Sequence, residues 1–300
     1  MKRSLLFLAV LLFISLSTSA QKLPNIQEAS LRAPAVIKVD GKATEWNNQF
    51  QAYNKATEIF YTLSNDNDKL YLTIQATDPD IVNKIISKGI TLTINGTGKM
   101  KDQEGLAITF PFLNKADFPP FGPYIDDKTD PIAMNTQMTG KVKDIKITGV
   151  KGIKDTISIY NQEGIKTITL FNEEKALTYE LAMPLKYLGL SANEQKPFTY
   201  NIKLNGLNPG GDAGAVSAAI NTQRKSTSRG IATLYSRNTP NLQGNGSMHV
   251  YGDKGDKHDF SISRQVDVKD GTFTIMGQNA DRIVNLIIPT DFWGEYTLAK

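Results

Sequence analysis

Lys69-Leu70-Tyr71-Leu72-Thr73-Ile74-Gln75-Ala76 is the stretch on which the fold turns. Leu70, Leu72, Ile74 and Ala76 alternate with Tyr71, Thr73 and Gln75, and successive side chains of a strand point to opposite faces. The octapeptide therefore reads as a half-buried strand with one face on a core. Residues 58–63 have the same character. Between the two lies Ser64-Asn65-Asp66-Asn67-Asp68, rich in turn formers, so the pair reads as a β-hairpin.

Moving outward, short strands are expected at 90–95, 105–111, 144–148, 156–160, 166–171, 176–183 and 198–207, and again at 248–251, 260–263, 272–276 and 283–288. A few turn residues separate most of them. Upstream, 35–39 reads as the first strand, turned by Asp40-Gly41. Helix is expected at 80–88, with Asp80 placed to cap it and Gly89 to end it, and 184–188 reads as a helical turn after Pro184. Regular strands with few helices give an all-β fold, an antiparallel β-sandwich. Two long loop insertions interrupt it, at about 113–139 and 209–246. The first carries Phe118-Pro119-Pro120-Phe121-Gly122-Pro123-Tyr124, and the second has weak strand character near 231–235.

Lys2 and Arg3, the apolar run 5–16 and the small residues Thr18-Ser19-Ala20 form the pattern of a cleaved signal peptide, residues 1–20. The expected location is secreted or periplasmic. Residues 21–34 then read as a leader and 35–300 as one domain. The chain has no cysteine, which rules out disulfides and thiol catalysis and leaves the hydrophobic core to hold the fold. A formal charge of +4, or +2 without Lys2 and Arg3, gives no electrostatic case for nucleic acid.

Three segments carry a family resemblance. Val36-Ile37-Lys38-Val39-Asp40-Gly41 with Glu45-Trp46 and the strand leading into Thr77-Asp78 resembles the opening of family 9 carbohydrate-binding modules. Leu177-Thr178-Tyr179-Glu180-Leu181-Ala182-Met183-Pro184-Leu185 is similar to a later segment of that family, and Trp293-Gly294-Glu295-Tyr296-Thr297-Leu298 to its closing strand. The resemblance implies a β-sandwich that binds sugars by stacking their rings on aromatic faces, in some members with calcium.

On that footing the expected ligand-binding residues are Phe118, Phe121 and Tyr124, presented by a proline-stiffened loop or folded back as a lid on the core. Trp46 is either a plug at one end of the core or a sugar platform. Asp78 and Asp80 are either calcium ligands, because hard cations are held by clustered oxygens in turns, or ordinary turn and capping residues. His249 and His258, nine residues apart across a polar turn, match no metal signature. Gly96-Thr97-Gly98-Lys99-Met100 lacks the residues of a phosphate loop, and neither a nucleophile elbow nor H-E-x-x-H is present. The expected function is therefore a secreted, non-catalytic carbohydrate-binding protein with a glycan as partner. The alternatives are a structural or protein-interaction module of the cell envelope and, behind it, a glycoside hydrolase.

Overall fold

The computed structural model describes residues 22–98, 105–112, 130–194, 196–206, 216–217, 230–236, 272–277 and 289–300. Its strands are β1 (Ala52–Asn54), β2 (Ile59–Asn65), β3 (Lys69–Ala76), β4 (Ile90–Asn95), β5 (Leu106–Phe112), β6 (Asp144–Thr148), β7 (Thr156–Ser158), β8 (Lys166–Phe171), β9 (Leu177–Pro184), β10 (Phe198–Leu204), β11 (Val216–Ser217), β12 (Gly230–Ser236), β13 (Thr272–Gly277) and β14 (Thr290–Tyr296). The helices are α1 (Pro79–Lys88), α2 (Pro131–Lys141) and the single turn α3 (Leu185–Leu188). A five-stranded sheet runs β1-β2-β3-β9-β8 and a six-stranded sheet runs β14-β10-β4-β5-β6-β7, both antiparallel throughout. Strands β11, β12 and β13 pair antiparallel among themselves.

Alternation is what packs the two larger sheets face to face. Leu70, Leu72, Ile74 and Ala76 of β3 and Leu177, Tyr179, Leu181 and Met183 of β9 join Leu92, Ile94, Ile108, Tyr200 and Ile202 of the other sheet in one buried cluster. Rings meet across the layer: the Tyr61 and Tyr200 hydroxyls are 2.9 Å apart, and Phe110 lies 6.3 Å from Tyr179 between ring centres. Helix α1 adds Ile81, Val82, Ile85 and Ile86 to the cluster. Each fully buried aliphatic side chain of this kind stabilises the fold by about 1.5–3 kcal/mol.

The outward face of the five-stranded sheet is covered as well. Thr62, Ser64, Thr73, Thr178 and Glu180 point away from the core and are nevertheless buried. The segment before β1 lies over them. Trp46, in the 3-10 turn Thr44–Trp46, is buried with Ala43 and Phe50 in a second, smaller cluster, and its Nε1 donates to Thr73 Oγ1 at 3.1 Å. Trp46 is thus buried, as the plug reading requires, but it packs in a cluster on the outer face of the sheet and does not close an end of the main core.

Residues 35–39 form no strand, contrary to the reading of the sequence. Their β-branched composition is that of a strand, but Lys38 N donates to the Glu45 carboxylate, at Oε1, and the turn that follows is drawn to Glu180, whose Oε2 accepts from Asp40 N and Gly41 N. Residues 22–33 are more than a leader. The Gln27 amide pairs with both Leu63 N and Leu63 O at 2.7 Å, standing in for a neighbouring strand along the edge of β2, and Ala33 N donates to Asn65 O. Residues 131–141, at the end of the segment read as a loop, form α2, and strands β11 and β12 lie within 209–246. Helix α1 begins one residue earlier than expected, and its cap is Asp78 instead of Asp80.

Candidate functional site

On the covered face of the five-stranded sheet an open cleft of about 670 Å3 remains beside the Trp46 cluster. Its floor is set by register. Gln75 of β3, Thr178 of β9 and Leu170 of β8 are cross-strand neighbours, so their side chains form one row on that face. One wall is the turn from Gly41 to Thr44 with Asn48, and the facing wall is the start of α2. The end of β8 and the Asn172–Glu174 turn close a third side.

Local hydrogen bonds fix those walls. Asn135 clamps the backbone of Phe171 from both sides: its Nδ2 donates to Phe171 O at 2.9 Å and its Oδ1 accepts from Phe171 N at 2.7 Å, tying α2 to β8. Asp130 Oδ1 accepts from Ile132 N and caps α2. Asn172 Oδ1 accepts from Ala176 N and shapes the β8–β9 turn. The turn wall depends on Glu180. This carboxylate is 2% exposed, and its Oε2 accepts from Asp40 N at 2.9 Å and Gly41 N at 2.8 Å. Gly41 has φ +82°, and a Cβ there would lie 2.7 Å from Leu170, so glycine is what lets the turn approach the sheet. Burial pushes the Glu180 carboxyl up to about 7, with the two N–H donors opposing the rise and Glu45 and Asp40 adding to it.

Two of the segments that carry the family resemblance thus meet physically, Asp40-Gly41 resting on Glu180. The sequence marked Glu180 as part of a motif, but not as a buried acid gripping a turn. A second group that sequence reasoning missed is Lys84 of α1. It is fully buried, its Nζ donates to Thr290 Oγ1 at 2.9 Å, and burial lowers it to about 8 against the opposing pull of Glu58. A lysine inside an α-helical apolar run gives no local sign of where its amine ends.

Asp78 Oδ1 accepts from Asp80 N at 2.8 Å and Ile81 N at 3.2 Å, so the role the structure gives it is the N-cap of α1. Among the described residues, no three His, Cys, Asp or Glu side chains are grouped so that they could hold a metal ion. Phe118, Phe121, Tyr124, His249 and His258 lie outside the described residues, as does the segment 1–20. Also among the described residues, no helix is long and apolar enough to cross a membrane.

The amides and hydroxyls of the cleft, Gln75 and Thr178 on the sheet floor with Thr44 and Asn48 beside them, can hydrogen-bond a neutral polar ligand. They share the lining with the charged Lys42, Asp130, Glu173 and Glu174 and the apolar Ile132, Leu170 and Phe171. Glu180, the carboxyl near it that holds its proton up to about pH 7, is turned into the protein with an oxygen already engaged, which is poor geometry for proton transfer to a ligand. No family model, no curated protein and no solved structure matches the chain.

Proposed function

We propose that this is an exported, non-catalytic carbohydrate-binding protein of the family 9 module type, with the outer-face cleft as its glycan site. The observation that carries the reading is the cleft floor: Gln75 and Thr178 side by side on a rigid sheet, with Thr44 and Asn48 on an adjoining wall. Planar amides and hydroxyls on a fixed frame suit sugar hydroxyls, which both donate and accept. The engaged, enclosed state of Glu180 favours binding over hydrolysis. Tyr124 precedes Asp130, on the cleft rim, by six residues in sequence, a reach of at most about 20 Å. The rings of Phe118, Phe121 and Tyr124 are the stacking partners this reading expects.

Affinity electrophoresis through gels holding a panel of soluble polysaccharides, run with and without calcium and paired with a reducing-sugar assay, tests the proposal. The expected result is retardation by at least one glycan with no release of reducing ends. The double variant Gln75→Ala/Asn48→Ala should weaken retardation by about thirtyfold, the loss of two hydrogen-bonding groups at about 1 kcal/mol each being of that order. Phe121→Ala/Tyr124→Ala should abolish it if stacking dominates. Retardation by none of the glycans would favour the envelope-interaction alternative, and sugar release would favour the hydrolase.

A further inference from the structure

A second cleft, of about 440 Å3, opens at the other end of α2, where β8 ends one sheet and β7 ends the other. Its volume lies within the range of small-molecule sites, roughly 300–1,000 Å3. Thr167 and Thr169 of β8 form its inner wall with Phe110, while Met138 and Val142 give it apolar sides. Thr167 is 8% exposed and Thr169 4%, and neither hydroxyl has a hydrogen-bond partner. Behind them Tyr179, the cross-strand neighbour of Thr169, is fully buried with its hydroxyl also unpartnered. The Thr167 hydroxyl lies close enough to the phenol to ease its ionisation, so these two are near a mutual hydrogen bond, whereas the Thr169 hydroxyl has no such neighbour among the described residues. Hydroxyls without a good hydrogen bond beside an apolar cleft, shut from solvent as these are, are costly to a folded chain, and such groups normally mark a missing partner.

At the mouth stands Tyr160, 71% exposed. The Lys143 ammonium lies 3.3 Å from its hydroxyl and 5.6 Å from its ring centre, a cation–π contact toward the hydroxyl end of the ring. Lys143 also donates to Thr139 O, so its charge is already shared between two acceptors. Among the described residues, no carboxylate lines the cleft.

We infer that this edge cleft is a second binding site, for one uncharged, polyhydroxylated ring of monosaccharide size. The ring's C–H face lies on Tyr160 and the apolar sides, and its hydroxyls reach Thr167 and Thr169, whose side chains turn to meet them. The ligand class is shared with the function proposed above, but the residues are different, so either site can fail alone.

The test is saturation-transfer NMR on the full chain with glucose, galactose, mannose and N-acetylglucosamine as separate probes. At least one probe is expected to bind in the millimolar range. Thr167→Val and Thr169→Val, which keep shape and remove the hydroxyl, should each weaken that binding by about tenfold while leaving the melting temperature equal or higher. Tyr160→Ala, a surface change with little bearing on folding, should weaken it similarly, and Gln75→Ala should not. Absence of binding by all four probes, the result if ordered water alone fills the cleft, would overturn the inference. So would binding that survives Thr169→Val and Tyr160→Ala, or tighter binding of glucuronate than of glucose.

Discussion

Gly294 and Tyr200 are opposite one another across β10 and β14, and a Cβ on Gly294 would run into the Tyr200 ring. The ring needs that space because its hydroxyl meets Tyr61, whose hydroxyl in turn accepts from Gln27 N at 2.8 Å. One glycine therefore allows a chain of contacts from the edge strand through the core to the N-terminal segment. Gly294→Ala is expected to tilt the ring and lengthen the Tyr61–Tyr200 contact, at a cost of about 1–3 kcal/mol in urea unfolding, the usual range for overpacking. Tyr200→Phe removes the hydroxyl and keeps the ring, so its cost should be nearer 1 kcal/mol. An alanine variant as stable as the parent would show that the strand shifts freely at this edge, and that the glycine is not what seats the ring.

Helix α1 shows how an element's sequence is read well in outline and poorly in its ends. Its apolar spacing marks the helix, and Gly89 ends it with φ +78°, but Pro79 at the first turn moves the cap back to Asp78. Asp78→Ala should cost about 1 kcal/mol in unfolding free energy, as loss of an N-cap does, and Asp78→Asn much less. If calcium bound at Asp78 and Asp80 instead, the asparagine variant would lose the metal-dependent share of stability, which melting with and without chelator measures. Strands such as β3, β4, β6 and β8 are legible because one covered face imposes period two. What escapes is set by partners distant in sequence. Residues 35–39 are rich in β-branched side chains like a strand, yet Lys38 N finds Glu45, and the Asp40-Gly41 turn that follows is held by Glu180. In α2, two core residues, Met134 and Met138, are too few to declare a helix by pattern. The site residues Gln75 and Thr178 look like the solvent face of their strands, and alternation cannot say that a distant turn walls that face into a cleft.

Over the whole molecule, Glu180 and Lys84 make opposite demands on pH. Glu180 is raised from 4.5 to about 7 in the folded chain. Between those values the native state holds more proton than the unfolded chain, so its share of stability is present below about 4.5 and is lost as pH rises to about 7. Lys84 is lowered from 10.5 to about 8. There the unfolded chain holds more proton, and stability is gained as pH rises from about 8 to 10.5. Each group moves the balance by up to about 3 kcal/mol, because a tenfold change in proton affinity is worth about 1.4 kcal/mol. Asp66, held low by Tyr71 and two backbone N–H donors although burial works the other way, loses its contribution as pH falls below its ordinary value of 3.8, which bounds the acid side. Unfolding free energy from these groups should therefore pass through a trough between about pH 7 and 8, with higher values near pH 5 and above pH 9. Glu180→Gln should flatten the acid limb and Lys84→Met the alkaline limb, each leaving the other unchanged because the acid and the amine share no partner. Urea titrations at half-unit pH steps read both slopes. A parent chain equally stable at pH 5 and pH 7.5, or an unchanged acid limb in Glu180→Gln, would mean that the Asp40-Gly41 turn rests on a carboxylate that carries no burden of burial. The turn is also a wall of the outer-face cleft, so the same substitution should remove any change in glycan retention between pH 5 and 8.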